Sequence, residues 1–111
     1  MTDLSAKKCA PCEGGVAPMT FAAADALREQ LHRDWRVAAD AKSLERSLKF
    51  KDFYRTMSFV NAVAHIANVQ DHHPDLEVGY NRCRIIFTTH SIGGLSQNDF
   101  ICAAKIDRLL E

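Results

Sequence analysis

Hydrophobic positions along the chain follow two periods, one of about 3.6 residues and one of about 2, and together they predict seven elements. In TFAAADALREQLHR, Phe21, Ala24, Leu27 and Leu31 stand at helical spacing behind Thr20, a natural N-cap. DWRVAAD then reads as extended, with a reversal near Asp40 and Ala41. In SLERSLKF, which follows, Leu44, Leu48 and Phe50 share one parity, while Glu45, Ser47 and Lys49 share the other. The longest periodic run, DFYRTMSFVNAVAHIANVQ, carries Phe53, Met57, Val60, Ala64 and Ala67 at intervals of three or four behind Asp52, and predicts a helix with these residues inward. It ends between Asp71 and Pro74, because proline disfavours the α region in the residue before it. LEVGY and RCRIIFTTH form a hairpin that turns near Tyr80, Asn81 and Arg82, with Cys83, Ile85 and Phe87 on one side. After a loop at Gly93 and Gly94, Ser96 to Leu110 forms a helix. Ser96 and Asp99 have the spacing of a capping box, and Phe100, Ala103, Ile106 and Leu110 form its inward stripe.

The order is α-β-β-α-β-β-α. Hairpins separated by helices, with no βαβ repeat, predict an α+β fold: a four-stranded antiparallel sheet with helices packed on one face. The open face and edges of such a sheet need protection, which favours self-association. Residues 1–18 are polar and broken by Gly14, Gly15 and Pro18, so they are expected to form a flexible arm before a single domain over 19–111.

The chain has 111 residues, 47 % apolar and 25 % charged, with a formal net charge of +0. A balanced chain lacks the broad positive field of a nucleic-acid binder, and nothing in it calls for anionic lipid, so neither nucleic acid nor membrane is expected as a partner. No apolar run approaches the roughly 20 residues that cross a bilayer, and the first residues do not resemble a signal peptide; a cytoplasmic location is expected. Of the cysteines, Cys83 and Cys102 fall in strand-like and helix-like runs as buried thiols. Cys9 and Cys12 make a single CxxC without the second pair of a structural zinc site.

The candidate chemistry lies in HHPDLEVGY and TTHS, which place His72, His73 and His90 near one another if the hairpin forms. Three outcomes are open: a proton-transfer site, a three-histidine zinc centre with oxygen ligands from Asp71 or Asp75, or a solvated turn beside a strand-end histidine. Adjacent side chains in extended backbone point to opposite sides, which weighs against a shared ion and gives His72 and His73 different surroundings. His32 and His65 fall outside the group.

The spacing HHP, five residues, Tyr80, nine residues, His90, eight residues, Asp99, preceded by FKDFYRTMSFVNAVAHIANVQD, resembles the pterin-4a-carbinolamine dehydratase family from about Trp35 onward. The resemblance implies removal of water from a 4a-hydroxytetrahydropterin after turnover of an aromatic amino acid hydroxylase, with no metal or other cofactor. His72 and His90 would be acid and base, and His73 would join the catalytic set while holding the pterin. Asp71, Pro74 and Asp99 would contact substrate, although capping is the larger expectation for Asp99. Packing is the default for Tyr80 and Phe50, and surface charge for Lys51. Many relatives carry an acidic residue where this chain has Asn68, and an amide can orient an imidazole without raising its pKa. The family further implies a homodimer or homotetramer and a link to phenylalanine hydroxylase. Some relatives act as dimerisation partners of a homeodomain transcription factor, which leaves an interaction module with vestigial catalysis as the alternative.

Overall fold

Capping residues start the helices where the sequence places them. In the computed structural model, which describes residues 3–11 and 16–111, Thr20 Oγ1 accepts from Ala23 N–H at 3.2 Å to open α1 (Phe21–Arg28). Asp52 Oδ1 accepts from Arg55 N–H at 2.9 Å to open α2 (Phe53–Gln70). Ser96 and Asp99 form the predicted capping box of α3 (Gln97–Arg108). The strands are β1 (Arg36–Val37), β2 (Leu44–Lys49), β3 (Asp75–Val78) and β4 (Arg82–Phe87). Single 3-10 turns occupy Leu4–Ala6 and His90–Ile92.

The strands form one antiparallel sheet in the order β1-β2-β4-β3, so the two hairpins join through the central β2–β4 pair. Ala41, at φ 60°, makes the reversal between β1 and β2. Leu44, Cys83, Ile85 and Phe87 point into the core against Phe59 and Val63 of α2 and Phe100, Ala103 and Ile106 of α3. On the opposite face Arg84 bridges Glu45 and Glu77, an exposed arrangement worth little stability. Among the described residues no helix is long and apolar enough to cross a membrane.

Three expectations change. The buried stripe of α2 is Thr56, Phe59, Val63 and Ala67, while Phe53 and Ala64 are exposed. α2 carries apolar residues around much of its circumference, and Thr56 turns inward because its hydroxyl donates to Asp52 O at 2.9 Å and Tyr80 O at 3.0 Å. The expected flexible arm is packed over residues 3–11: Leu4 is buried in the common core, and Ser5 O accepts from Lys105 Nζ at 2.7 Å. That cover explains why α3 is buried from Asn98 to Ala104 rather than along one stripe. Leu110 is 40 % exposed, because α3 ends at Arg108. Arg46, on which the sequence carried no expectation, shares the inward parity of Leu44 and Leu48 and is buried, its Nη1 2.8 Å from Asp107 Oδ1. The same carboxylate accepts from Trp35 Nε1 at 2.8 Å and His32 N–H at 2.9 Å, tying the first hairpin to the end of α3.

Candidate active site

The C-terminus of α2 sets the direction of the two adjacent histidines. Asp71 adopts the left-handed conformation (φ 52°, ψ 43°). Its N–H reaches Asn68 O at 3.4 Å and that of His72 reaches Ala67 O at 3.1 Å. This is the Schellman pattern with an aspartate where glycine is usual, a choice that costs on the order of 1 kcal/mol and points to a constrained position. The sharp reversal sends His72 inward over the start of α3 and His73 outward.

His72 lies flat on Phe87, with centroids 6.0 Å apart and planes within 6°. Its Nε2 is 2.6 Å from Asp99 Oδ1. Asp99 is wholly buried, and its second oxygen accepts from Ser96 N–H at 2.9 Å and from the Thr89 hydroxyl at 2.8 Å. Ser96 Oγ lies 2.7 Å from Thr89 Oγ1 and completes the chain of hydroxyls. One carboxylate thus caps a helix and holds an imidazole. Burial pulls the pKa of His72 down, but the hydrogen bond and charge of Asp99, helped by Cys9 and Asp71, outweigh it and leave the ring with more than ordinary affinity for its proton.

His73 is exposed, and its Nε2 donates to Asn68 Oδ1 at 3.1 Å. The amide therefore fixes the ring without supplying charge. His90 stands beyond the end of β4 on the 3-10 turn, not on the strand itself. The bridge between Thr89 and Gly94 closes this loop at its base, and Gly93, at φ 68°, makes the bend.

His72, His73, His90 and Asp71 line one cleft of about 510 Å³. Of the other predicted residues, Asp99 sits behind His72 rather than on the cleft wall, and half-buried Pro74 leads into β3 without lining it. Tyr80 is at the opposite end of α2, stacked on Phe53 at 6.3 Å. Phe50 packs on Phe59 at 5.1 Å. Among the described residues no group of three or more His, Cys, Asp or Glu side chains converges as metal ligands do. Sequence reasoning missed Thr89, Gln70 and Cys9. Thr89 was marked only by its place before His90. The sequence marked Cys9 only as half of a CxxC; it joins the wall because its N–H donates to Gln70 Oε1 at 2.9 Å. Cys12 lies outside the described residues.

A family model described as pterin 4 alpha carbinolamine dehydratase matches residues 17–109. The chain belongs to this family. Within the pterin 4 alpha carbinolamine dehydratases, it is 55 % identical to a provisionally named member from Nitrosomonas eutropha, over 97 % of this chain and 94 % of that one. A provisionally named member from Legionella pneumophila strain Corby is 54 % identical over 98 % of this chain and 96 % of that one. The crystal structure of a transcriptional coactivator/pterin dehydratase from Brucella melitensis matches with a TM-score of 0.79 at 29 % identity, covering 85 % of this chain and 99 % of that chain.

Proposed function

We propose that the chain dehydrates a 4a-hydroxytetrahydropterin in this cleft, by proton transfer through histidine side chains, and so returns the pterin cofactor of an aromatic amino acid hydroxylase to its cycle. The observation that carries the proposal is the meeting of His72, His73 and His90 on one cleft, with His72 backed by the buried Asp99. A volume of about 510 Å³ is within the range of small-molecule sites.

Loss of the C4a hydroxyl requires a proton on the departing oxygen and removal of the N5 proton as the C4a–N5 double bond forms. Imidazoles, with an ordinary pKa of about 6.5, serve both roles near neutral pH. His72 holds its proton more tightly than usual, with Nε2 occupied by Asp99, which leaves Nδ1 to protonate the hydroxyl as it departs as water. His90, on its loop tip, takes the N5 proton, and His73 orients the ring from the third side. Asp71 contacts substrate at the turn. Pro74 and Asp99 act through the histidines, by fixing the backbone after His73 and the ring of His72.

The same proposal includes self-association as a homodimer or homotetramer. β3 is a free edge strand, and Phe53, Tyr54, Val69, Val78 and Tyr80 expose apolar surface beside it and along α2. That surface is also what favours the second reading, an interaction module with vestigial catalysis. One experiment separates the two readings: the decay of 4a-carbinolamine absorbance with catalytic amounts of protein. Wild type should accelerate it, and His72→Ala and His90→Ala should each lose roughly 10²-fold or more. Full biological effect in those variants, with no acceleration by wild type, would favour the interaction module. A link to phenylalanine hydroxylase predicts that deleting the gene slows that enzyme's sustained turnover.

A further inference from the structure

The N-terminal segment lies outside the residues that the family model matches, yet it supplies part of the cleft wall. At the cleft it is fastened at two places. Cys9 N–H donates to Gln70 Oε1, and Ala10 exchanges hydrogen bonds with Asn98, its N–H reaching Oδ1 at 3.0 Å and its carbonyl accepting from Nδ2 at 2.6 Å. This anchoring brings Cys9 Sγ to 3.5 Å from Cys102 Sγ on α3. The thiols differ in access: Cys9 is half-buried and lines the cleft, whereas Cys102 is fully buried behind it. We propose that Cys9 and Cys102 are a peroxide-reactive dithiol, in which a hydroperoxide entering the cleft oxidises Cys9 and Cys102 then closes a disulfide that pins the N-terminal segment to α3.

The electronic asymmetry runs the same way. The hydrogen bond from Cys102 lowers the pKa of Cys9 against the opposing effect of burial, with the charge of His72 assisting. That of Cys102 is raised by the same hydrogen bond and by burial. The attacking sulfur is thus the accessible one, as oxidation by peroxide requires. Cys9 thiolate attacks one peroxide oxygen, the O–O bond breaks, and the other oxygen leaves with a proton as water or an alcohol. Cys102 sulfur then attacks the Cys9 sulfenic acid; the S–S bond forms, the S–O bond breaks, and water departs with the Cys102 proton. Two electrons pass from the thiol pair to the peroxide. Cys83 is buried beneath the sheet with its pKa raised by burial, and serves as an unreactive internal reference. Cys12, three positions beyond Cys9, is the competing partner.

The test uses the full reduced chain treated with stoichiometric hydrogen peroxide, thiol blocking, and non-reducing peptide mass mapping. Expected are a mass loss of about 2 Da and a cross-link between the peptides containing Cys9 and Cys102, both reversed by dithiothreitol. The thermal midpoint should rise by about 10 °C on oxidation, since the bond closes a long loop. The cross-link should persist in Cys12→Ser and vanish in Cys9→Ser. Because Cys102→Ala alters the core and risks misfolding, Cys9→Ser carries the second criterion: Cys102 should then be inert to peroxide. A Cys9–Cys12 bond, accumulation of Cys9 sulfinic acid with Cys102 still a thiol, or oxidation of Cys102 at the wild-type rate in Cys9→Ser would each overturn the proposal.

Discussion

Asp99→Asn is nearly isosteric, and it separates the two jobs of one buried carboxylate. Asp99 accepts three hydrogen bonds, from Ser96 N–H, the Thr89 hydroxyl and His72 Nε2. With its carbonyl oxygen in the place of Oδ2, asparagine keeps the first two. Its amide then faces His72 and donates, so Nε2 must become an acceptor and the imidazolium loses its partner. A hydrogen bond to a charged group contributes about 1.5–3 kcal/mol, which for a domain of this size is a fall of about 6–13 °C in thermal midpoint. The pH dependence follows from the raised folded-state pKa of His72. Stability from this bond is fully present below the unfolded value of about 6.5 and is lost as pH rises through the higher folded value. The penalty of Asp99→Asn should therefore be greatest near pH 5.5 and shrink towards pH 8.5. Carbinolamine decay should slow by about 10²-fold, the lower end of the range for general acid catalysis, and the imidazole resonance of His72 should titrate at lower pH than in wild type. Wild-type rate together with an unmoved His72 titration would refute this role for Asp99.

Other substitutions probe the rest of the site and its frame. Asn68→Asp places a carboxylate beside His73 Nε2 where a neutral amide stood, and should extend activity to higher pH in the carbinolamine assay. Asp107→Ala strips the shared acceptor from Arg46, Trp35 and His32, and should cost about 3–5 kcal/mol in denaturant unfolding, because it leaves a buried guanidinium uncompensated. Leu4→Ala should cost about 2–4 kcal/mol by the same measure; a change below about 0.5 kcal/mol would mean that the N-terminal segment is not docked in solution.

Much of this architecture could be read from periodicity. The alternation in SLERSLKF and RCRIIFTTH, the caps at Thr20, Asp52 and Ser96, and the proline after His73 mark elements whose local chemistry and tertiary setting agree. Where more than one apolar face was on offer, the pattern could not choose. α2 carries Phe53, Met57 and Ala64 as well as Phe59 and Val63, and a polar residue, Thr56, settles its rotation through a bond to the Tyr80 carbonyl in a distant hairpin. Leu4 and Cys9 stand alone in polar surroundings with no period to mark them, and their packing against α3 depends on contacts nearly a hundred residues away. The nearness of the three histidines followed from the hairpin register. The link from Asp99 to His72 did not, since its capping role already accounted for the residue and hid the second oxygen.

Where a flat pterin sits can be read directly from the imidazole resonances during titration with 7,8-dihydrobiopterin, a stable stand-in for the substrate. A site closed by His72, His73 and His90 predicts that all three shift together and saturate at one ligand per chain, while His32 and His65 stay fixed. Saturable binding that leaves those three rings unmoved, or shifts only residues around Phe53 and Tyr80, would contradict the account.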